Sequence, residues 1–338
     1  MRSMTVLWPL LQFIACAALI GRAGYVLSDS ADRIAEATGL SRGWIGLALL
    51  ATVTSLPELA SGISSVTWMD APNLAVGNAL GACVLNLVFL VIVDMVHRHE
   101  PMYRSASPEH LLSAAFGIVM LGFVALSLLV ASRVPSVLNL GLYSPLLLLL
   151  YLLALRSVHA HNAQRLGAAP VARQPATGEP TLASTWQRFA AAAAVVIAAG
   201  VWLPSVVDEL AQALGWSRSF AGTVFMAVAT TMPEMAVTLS ALRLRALDMA
   251  LGNLLGSNLF NIAILAVDDA FYQPGPLLAT VSPVHAGTAM AAVVMSALVI
   301  VGLVLRPQGR LLRVTSWISA ALLATYLINA MLVFLHGA

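Results

Sequence analysis

Two short stretches decide the reading: Thr54-Ser55-Leu56-Pro57-Glu58 and Thr230-Thr231-Met232-Pro233-Glu234. They lie 176 positions apart, and the agreement spreads outward from them. Upstream, Gly39-Leu40-Ser41-Arg42 returns as Gly215-Trp216-Ser217-Arg218, and Gly46 returns as Gly222, at the same offset. Downstream, after a slip of one residue, Gly77-Asn78-Ala79-Leu80-Gly81 matches Gly252-Asn253-Leu254-Leu255-Gly256, and Asn86 matches Asn261. The chain is therefore an internal repeat.

Composition supplies the solvent. Sixty per cent of the 338 residues are hydrophobic and 9% are charged, far below the quarter or so typical of soluble domains. A window of about 20 apolar residues marks ten spans, near 4–27, 43–66, 72–96, 110–131, 137–156, 186–209, 217–241, 247–271, 283–305 and 311–335. The expected fold is an all-α membrane protein of ten transmembrane helices. It divides into a first five-helix repeat (1–156), a proline-bearing flexible linker (157–185) and a second repeat (186–338). Five spans separate the copies, and five is odd, so the repeats are expected to be inverted. Inverted repeats with interrupted helices place a transporter's binding site at the bilayer midplane.

All 17 basic residues are Arg. With ten spans, thirteen of them fall on one side and three on the other, with Arg22 inside the first span. The positive-inside bias makes the crowded side cytoplasmic. Both termini then face outward, and the linker is cytoplasmic. The net charge of +2 and the absence of a basic stripe give no footprint for nucleic acid. Cys16 and Cys83 sit in apolar runs, against a disulfide framework or a Cys metal site. The apolar N-terminal run lacks a convincing cleavage site and is read as a retained first span.

Glu58 and Glu234 fall near the middle of spans two and seven. A carboxylate at the bilayer centre costs at least about 2.5 kcal/mol, so such a group is functional by default. Each follows a proline, which interrupts a helix and frees a carbonyl one turn earlier. Each motif thus offers hydroxyls, backbone carbonyls and one carboxylate within a turn. Hard oxygen donors of this kind suit calcium or sodium rather than zinc or copper. The glycines four apart on spans three and eight suit close helix packing, and Asn78 and Asn253 are expected to brace the broken helices. Asn86, Ser257 and Asn261 lie one to two turns along the same spans and can turn oxygens toward the Glu pair.

At this point the sequence resembles the calcium/cation antiporter superfamily, of the sodium/calcium exchanger type, over roughly 40–95 and 215–270. The resemblance implies ten helices with outward termini, and Glu58 and Glu234 as central calcium ligands. Thr54, Thr230 and the carbonyls of Ala51 and Ala227 would add ligands, while Ser55, Thr231 and Ser257 would form flanking sodium sites. Asn86 and Asn261 stand where the family has Asn or Asp. Ala82 departs from the pattern: it stands where the second repeat has Ser257, and removes a hydroxyl from a sodium site. Reduced sodium coupling, or proton exchange through the Glu pair, is the expectation, because burial and a facing like charge both favour a neutral carboxyl.

The resulting function is a secondary active antiporter exchanging Ca2+ or a similar cation against Na+ or H+, with K+ also open as counter-ion. A passive cation channel using the same acidic pair is the alternative. No HExxH, GxSxG or paired-Asp protease motif suggests an enzyme, and no cofactor is implied. The expected partners are the lipid bilayer and inorganic cations, the expected location is a bacterial inner membrane, and a monomer is the default state. Asp29, Asp32, Asp208 and Glu209, like Asp94 and Asp269, read as solvated span ends, with the lining of ion entrances as the alternative, and His285 reads as an outer-edge cap.

Overall fold

The computed structural model describes residues 2–38, 50–97, 102–108, 110–130, 136–137, 139–166, 182–243, 247–307, 309, 311 and 315–337. The protein is mostly helical. The long helices are α1 (Arg2–Thr38), α4 (Pro72–Val96), α5 (His110–Val130), α6 (Tyr143–Leu166), α7 (Leu182–Leu214), α10 (Leu247–Phe271), α11 (Val284–Leu305) and α12 (Trp317–His336). Between them lie two broken helices. One is α2 (Ala51–Thr54) followed by α3 (Leu56–Thr67), and the other is α8 (Ala227–Thr230) followed by α9 (Met232–Arg243).

Eight described helices are long and apolar enough to cross a membrane. A ninth span arises if Arg218–Thr230 and Met232–Arg243, bent by 44°, are taken together. The expected second span, 43–66, is described only from Leu50, because 39–49 lie outside the described residues. Two expectations shift. Residues 157–166 and 182–185, assigned to the linker, are helical ends of α6 and α7; residues 167–181 lie outside the described set. The expected fifth span begins late, at Tyr143, because Ser136–Val137 and Leu140–Gly141 form a two-residue antiparallel hairpin.

Burial sorts the helices. α4 and α10 are buried along most of their length, whereas α1, α5, α6, α11 and α12 are not. Trp8, Leu126, Leu129, Leu152, Trp202, Ile328 and Met331 are all exposed, large apolar side chains on the outside, as lipid contact would allow. The two Gly-Asn helices therefore form the centre, and their glycines explain how. A Cβ on Gly81 would stand 2.3 Å from the Thr223 carbonyl, and one on Gly77 would stand 3.0 Å from the Thr223 nitrogen. α4 thus packs directly on the backbone of the π-helical stretch Ala221–Met226.

Polar latches tie the centre to the periphery. Asp94 and Asp269 are buried, which overturns their reading as solvated ends. Asp94 accepts hydrogen bonds from Met102 N (3.1 Å), Ser316 N (2.7 Å), Thr315 Oγ1 (2.8 Å) and Ser319 Oγ (2.8 Å). Asp269 accepts from Gly141 N (2.9 Å), Leu277 N (2.6 Å), Tyr143 Oη (2.6 Å) and Ser144 Oγ. The first backbone donor is eight residues downstream of Asp94 and, for Asp269, Leu277 is again eight downstream. Four donors replace the water that each carboxylate would otherwise need.

Candidate functional site

The site grows out of the two prolines. Pro57 and Pro233 lack an N–H and cannot continue a helix, but they are tolerated in the first turn of a new one. Each helix accordingly stops and restarts at a single residue, Ser55 (φ −90°, ψ 13°) or Thr231 (φ −80°, ψ 7°). Glu58 and Glu234 fall in the first turn of the restarted helices. That end carries the positive pole of the helix dipole and suits a carboxylate.

The long helices cover both prolines. α1 packs on α9 and α7 packs on α3, each crossing to the other half of the chain. Gly24 and Gly200, again 176 apart, make the crossings possible. A Cβ at Gly24 would lie 2.4 Å from Pro233 Cβ, and one at Gly200 would lie 3.1 Å from the Pro57 carbonyl.

Glu58, Glu234, Thr54, Ser55, Thr230, Thr231, Asn86, Ser257 and Asn261 are all fully buried. Several are in contact across the halves. Ser55 Oγ donates to Glu234 Oε1 at 2.8 Å. Thr54 Oγ1 and Ser257 Oγ share a 3.4 Å hydrogen bond, and Thr54 also reaches Asn253 Oδ1 at 3.5 Å. On the opposite side Thr230 Oγ1 donates to Asn78 Oδ1 at 3.0 Å, while Asn78 Nδ2 donates to Ser61 Oγ at 2.8 Å. Asn78 therefore braces both broken helices. The two glutamates interact electrostatically, and the Thr230 side chain lies close to the Glu58 carboxyl.

Ala51 and Ala227 are buried as well, but their carbonyls are already engaged. Ala51 O accepts from Ser55 N (3.2 Å) and Thr54 Oγ1 (3.3 Å); Ala227 O accepts from Thr231 N (3.0 Å) and Thr231 Oγ1 (2.8 Å). The two carbonyls that the resemblance offers as ligands thus each accept at least two hydrogen bonds within their own broken helix. The single-residue break preserves the preceding turn, and the β-branched or hydroxyl side chains bond back to it.

Other donors are unsatisfied. Both Glu58 oxygens, Glu234 Oε2, Asn86 Oδ1, both Asn261 side-chain heteroatoms and Asn253 Nδ2 are buried without a hydrogen-bond partner. Buried polar atoms are ordinarily paired, so such a concentration marks a candidate site for a desolvated ligand. Among the described residues no group of three His, Cys, Asp or Glu side chains assembles. The set is two carboxylates plus neutral oxygens, the chemistry of a hard cation.

Sequence reasoning passed over Asn258. It links the central helices: Asn86 Nδ2 donates to Asn258 Oδ1 (3.0 Å), and Asn258 Nδ2 donates to the Cys83 carbonyl (3.2 Å). Its repeat-equivalent is Cys83, so no symmetric pair drew attention to it. Asp208 was read as solvated. It is instead buried and held bidentate by Arg218 (2.7 and 3.1 Å), and it also accepts from Gln212 at 2.9 Å. His285 is fully buried with Nε2 on Asn73 Oδ1 at 3.1 Å, and Asn73 in turn caps Ser282 N at 2.7 Å.

The model of the sodium/calcium exchanger protein family matches residues 8–156 and 184–335. The chain belongs to that family. It is 28% identical over 239 residues to the putative antiporter CaxA of Alkalimonas amylolytica, covering 70% of this chain and 72% of that relative. It is also 28% identical over 267 residues to the inner membrane protein YrbG of Escherichia coli (strain K12), covering 73% and 77%. A shorter match, 41% over 81 residues, joins it to the sodium/calcium exchanger MaX1 of Methanosarcina acetivorans, covering 24% and 23%. Among solved structures, the sodium-calcium exchanger NCX_Mj superposes with a TM-score of 0.65 at 21% identity, over 96% of this chain and 98% of that one. The exchanger-family fold is thus shared, and the protein is an integral membrane antiporter of this family.

Proposed function

We propose that the protein exchanges Ca2+, or a similar hard cation, against Na+ or H+ by alternating access at a site centred on Glu58 and Glu234. One observation carries the reading: two buried carboxylates with three unpartnered oxygens, at matched breaks in two halves, together with an unpartnered Asn86 Oδ1 and an unpartnered Asn261 amide on the central helices. Two negative charges offset one divalent ion, and the neutral oxygens replace part of its hydration shell. Thr54, Thr230, Ser55, Thr231 and Ser257 complete the donor set, and the Ala51 and Ala227 carbonyls join it when the Thr hydroxyls bonded to them rotate away and free a lone pair.

In this reading 1–156 and 186–338 are inverted five-helix units in a bacterial inner membrane, joined by a cytoplasmic connection within 157–185. Both termini face out. α1 and α7 are the moving pair, which fits their glycine-mediated crossings over the two prolines. No enzymatic step and no cofactor enters.

The test is calcium-45 flux into proteoliposomes under sodium, proton or potassium gradients imposed one at a time. Uptake driven by at least one outward gradient is expected. Calcium equilibrating at the same rate with no counter-ion present would instead identify a passive channel.

A further inference from the structure

Outside the site just described, one more buried acid among the described residues stands without a hydrogen-bond partner. Asp268, near the Phe271 end of α10, is fully buried, and neither of its oxygens has a hydrogen-bond partner. Its neighbour Asp269 is different, holding four donors. Asp268 lies seven residues beyond Asn261 and so shares its face of the helix. Its carboxylate rests against Gly62: a Cβ there would stand 2.5 and 2.6 Å from the two oxygens. Gly62 is one turn along α3 from Glu58, about 6 Å of helical rise.

The arrangement exists on one side only. Asp268 corresponds to Val93 of α4, and Gly62 corresponds to Thr238 of α9. One half thus opposes a missing side chain to a carboxylate, where the matched positions of the other half hold Thr and Val. A packing role would be met by Val, as it is at position 93. The carboxylate therefore calls for another explanation.

Its donor set narrows what it can hold. With no hydrogen-bond partner for it among the described residues, Asp268 offers little beyond its own two oxygens, whereas Ca2+ takes six to eight. A proton needs one. The ionisable groups around it do not supply a cation. Asp269 is adjacent and acts on it electrostatically, and Glu58 is a turn away on α3. Tyr143 of α6 is bound to Asp269, and Arg156 lies about 20 Å further along that helix. Asp94 of α4 is held by its own four donors. His110 of α5 pairs with Asp248 at the far end of α10, and Glu234 of α9 is engaged by Ser55.

We propose that Asp268 is the proton-binding carboxyl of the exchange, separate from the Glu58/Glu234 cation site and linked to it through the Gly62 turn of α3. This rests on the cation-site reading above. At the Phe271 end a hydronium ion gives its proton to a carboxylate oxygen: one O–H bond of hydronium breaks, leaving water, and an O–H bond to Asp268 forms. On release that bond breaks, its electron pair stays on oxygen, and the proton returns to water. Nothing is oxidised or reduced. The Arg distribution assigns that end to the outer face.

The experiment pairs two measurements on full-length protein in proteoliposomes. Calcium–calcium exchange without a gradient reports the Glu site, and a trapped pH dye reports proton movement evoked by added Ca2+. Asp268→Asn is expected to cut the proton signal at least about tenfold while calcium–calcium exchange stays within about twofold. Asp268→Val, copying the matched Val93, removes the acid without leaving a buried amide and is expected to do the same. An unchanged proton signal in either variant overturns the proposal. So does loss of both signals in variants that remain monodisperse and melt cooperatively, because Asp268 would then position the cation site. Wild-type calcium–calcium exchange without proton movement overturns this inference alone; its absence in the wild type overturns the cation-site reading.

Discussion

The two halves of the molecule are alike where they are held together and unlike where they meet the candidate ion. Asp94 and Asp269 each collect four donors, two from backbone and two from side chains, and each pins the start of a later helix. The breaks at Ser55 and Thr231 share nearly the same backbone angles. Inside the site the match ends. Ser55 reaches across to Glu234, whereas Thr231 turns back to the Ala227 carbonyl. Thr54 meets both Asn253 and Ser257, whereas Thr230 meets Asn78 and has Ala82 where the hydroxyl would be. Glu58 keeps both oxygens unpartnered and Glu234 keeps one. A common scaffold carries an uneven cage, as expected if cargo and counter-ion need different coordination.

The comparison breaks most sharply at the carboxylates. Glu58→Gln and Glu234→Gln should each reduce calcium-45 uptake by at least about 100-fold, since half the charge of a divalent site is lost, while size-exclusion profiles stay intact. Normal uptake in either variant would remove that residue from the site.

The latches test the symmetric side. Asp94→Asn and Asp269→Asn should each cost about 3 kcal/mol, because charge-assisted bonds are lost and buried donors are stranded. Thermal unfolding in detergent should show similar losses for both. A large loss in one variant alone would mean that only one half bears the load.

Crossing clearances should separate the halves again. Gly24→Ala puts a methyl group 2.4 Å from Pro233, whereas Gly200→Ala leaves 3.1 Å to the Pro57 carbonyl. Overpacking costs roughly 1–3 kcal/mol, so Gly24→Ala should destabilise by about 2 kcal/mol and Gly200→Ala by less than about 1 kcal/mol. Equal effects would show that α1 and α7 adjust freely over the prolines.

Next comes the hydroxyl that crosses. Ser55→Ala should weaken apparent calcium affinity about tenfold through loss of a bond to a charged group, read from uptake against calcium concentration. Thr231→Ala should have the smaller effect. The smallest expected change is a gain: Ala82→Ser, which restores the matched hydroxyl, should raise the sodium dependence of calcium uptake by about twofold to threefold, within the reach of one neutral hydrogen bond. No change would separate Ala82 from sodium coupling.

Much of the fold was legible because the membrane punishes ambiguity. Long, nearly uncharged apolar runs mark candidate spans, and a proline-glutamate pair repeated 176 residues apart in such runs draws attention to itself. Span ends were harder to read. The helical ends of α6 and α7, the hairpin at 136–141 and the burial of Asp94, Asp208 and Asp269 all depend on partners tens to hundreds of residues away. An acid at a span end has the same local sequence whether water or four protein donors surround it. Asn258 and Asp268 escaped notice for a related reason: each faces a non-equivalent residue in the other half, Cys83 and Val93, so the repeat gave no signal.

By itself, then, the amino-acid order determined most of the spans, the matched motifs, the residue types around the two glutamates and the resemblance to a family, because these follow from local hydrophobicity and matched spacing. Tertiary structure alone decided which hydroxyl serves which carboxylate, that the Ala51 and Ala227 carbonyls are already engaged, and which acids are paired and which stand alone. Hydrogen bonds are set by distances of a few tenths of an ångström between separate helices, and no local pattern encodes them.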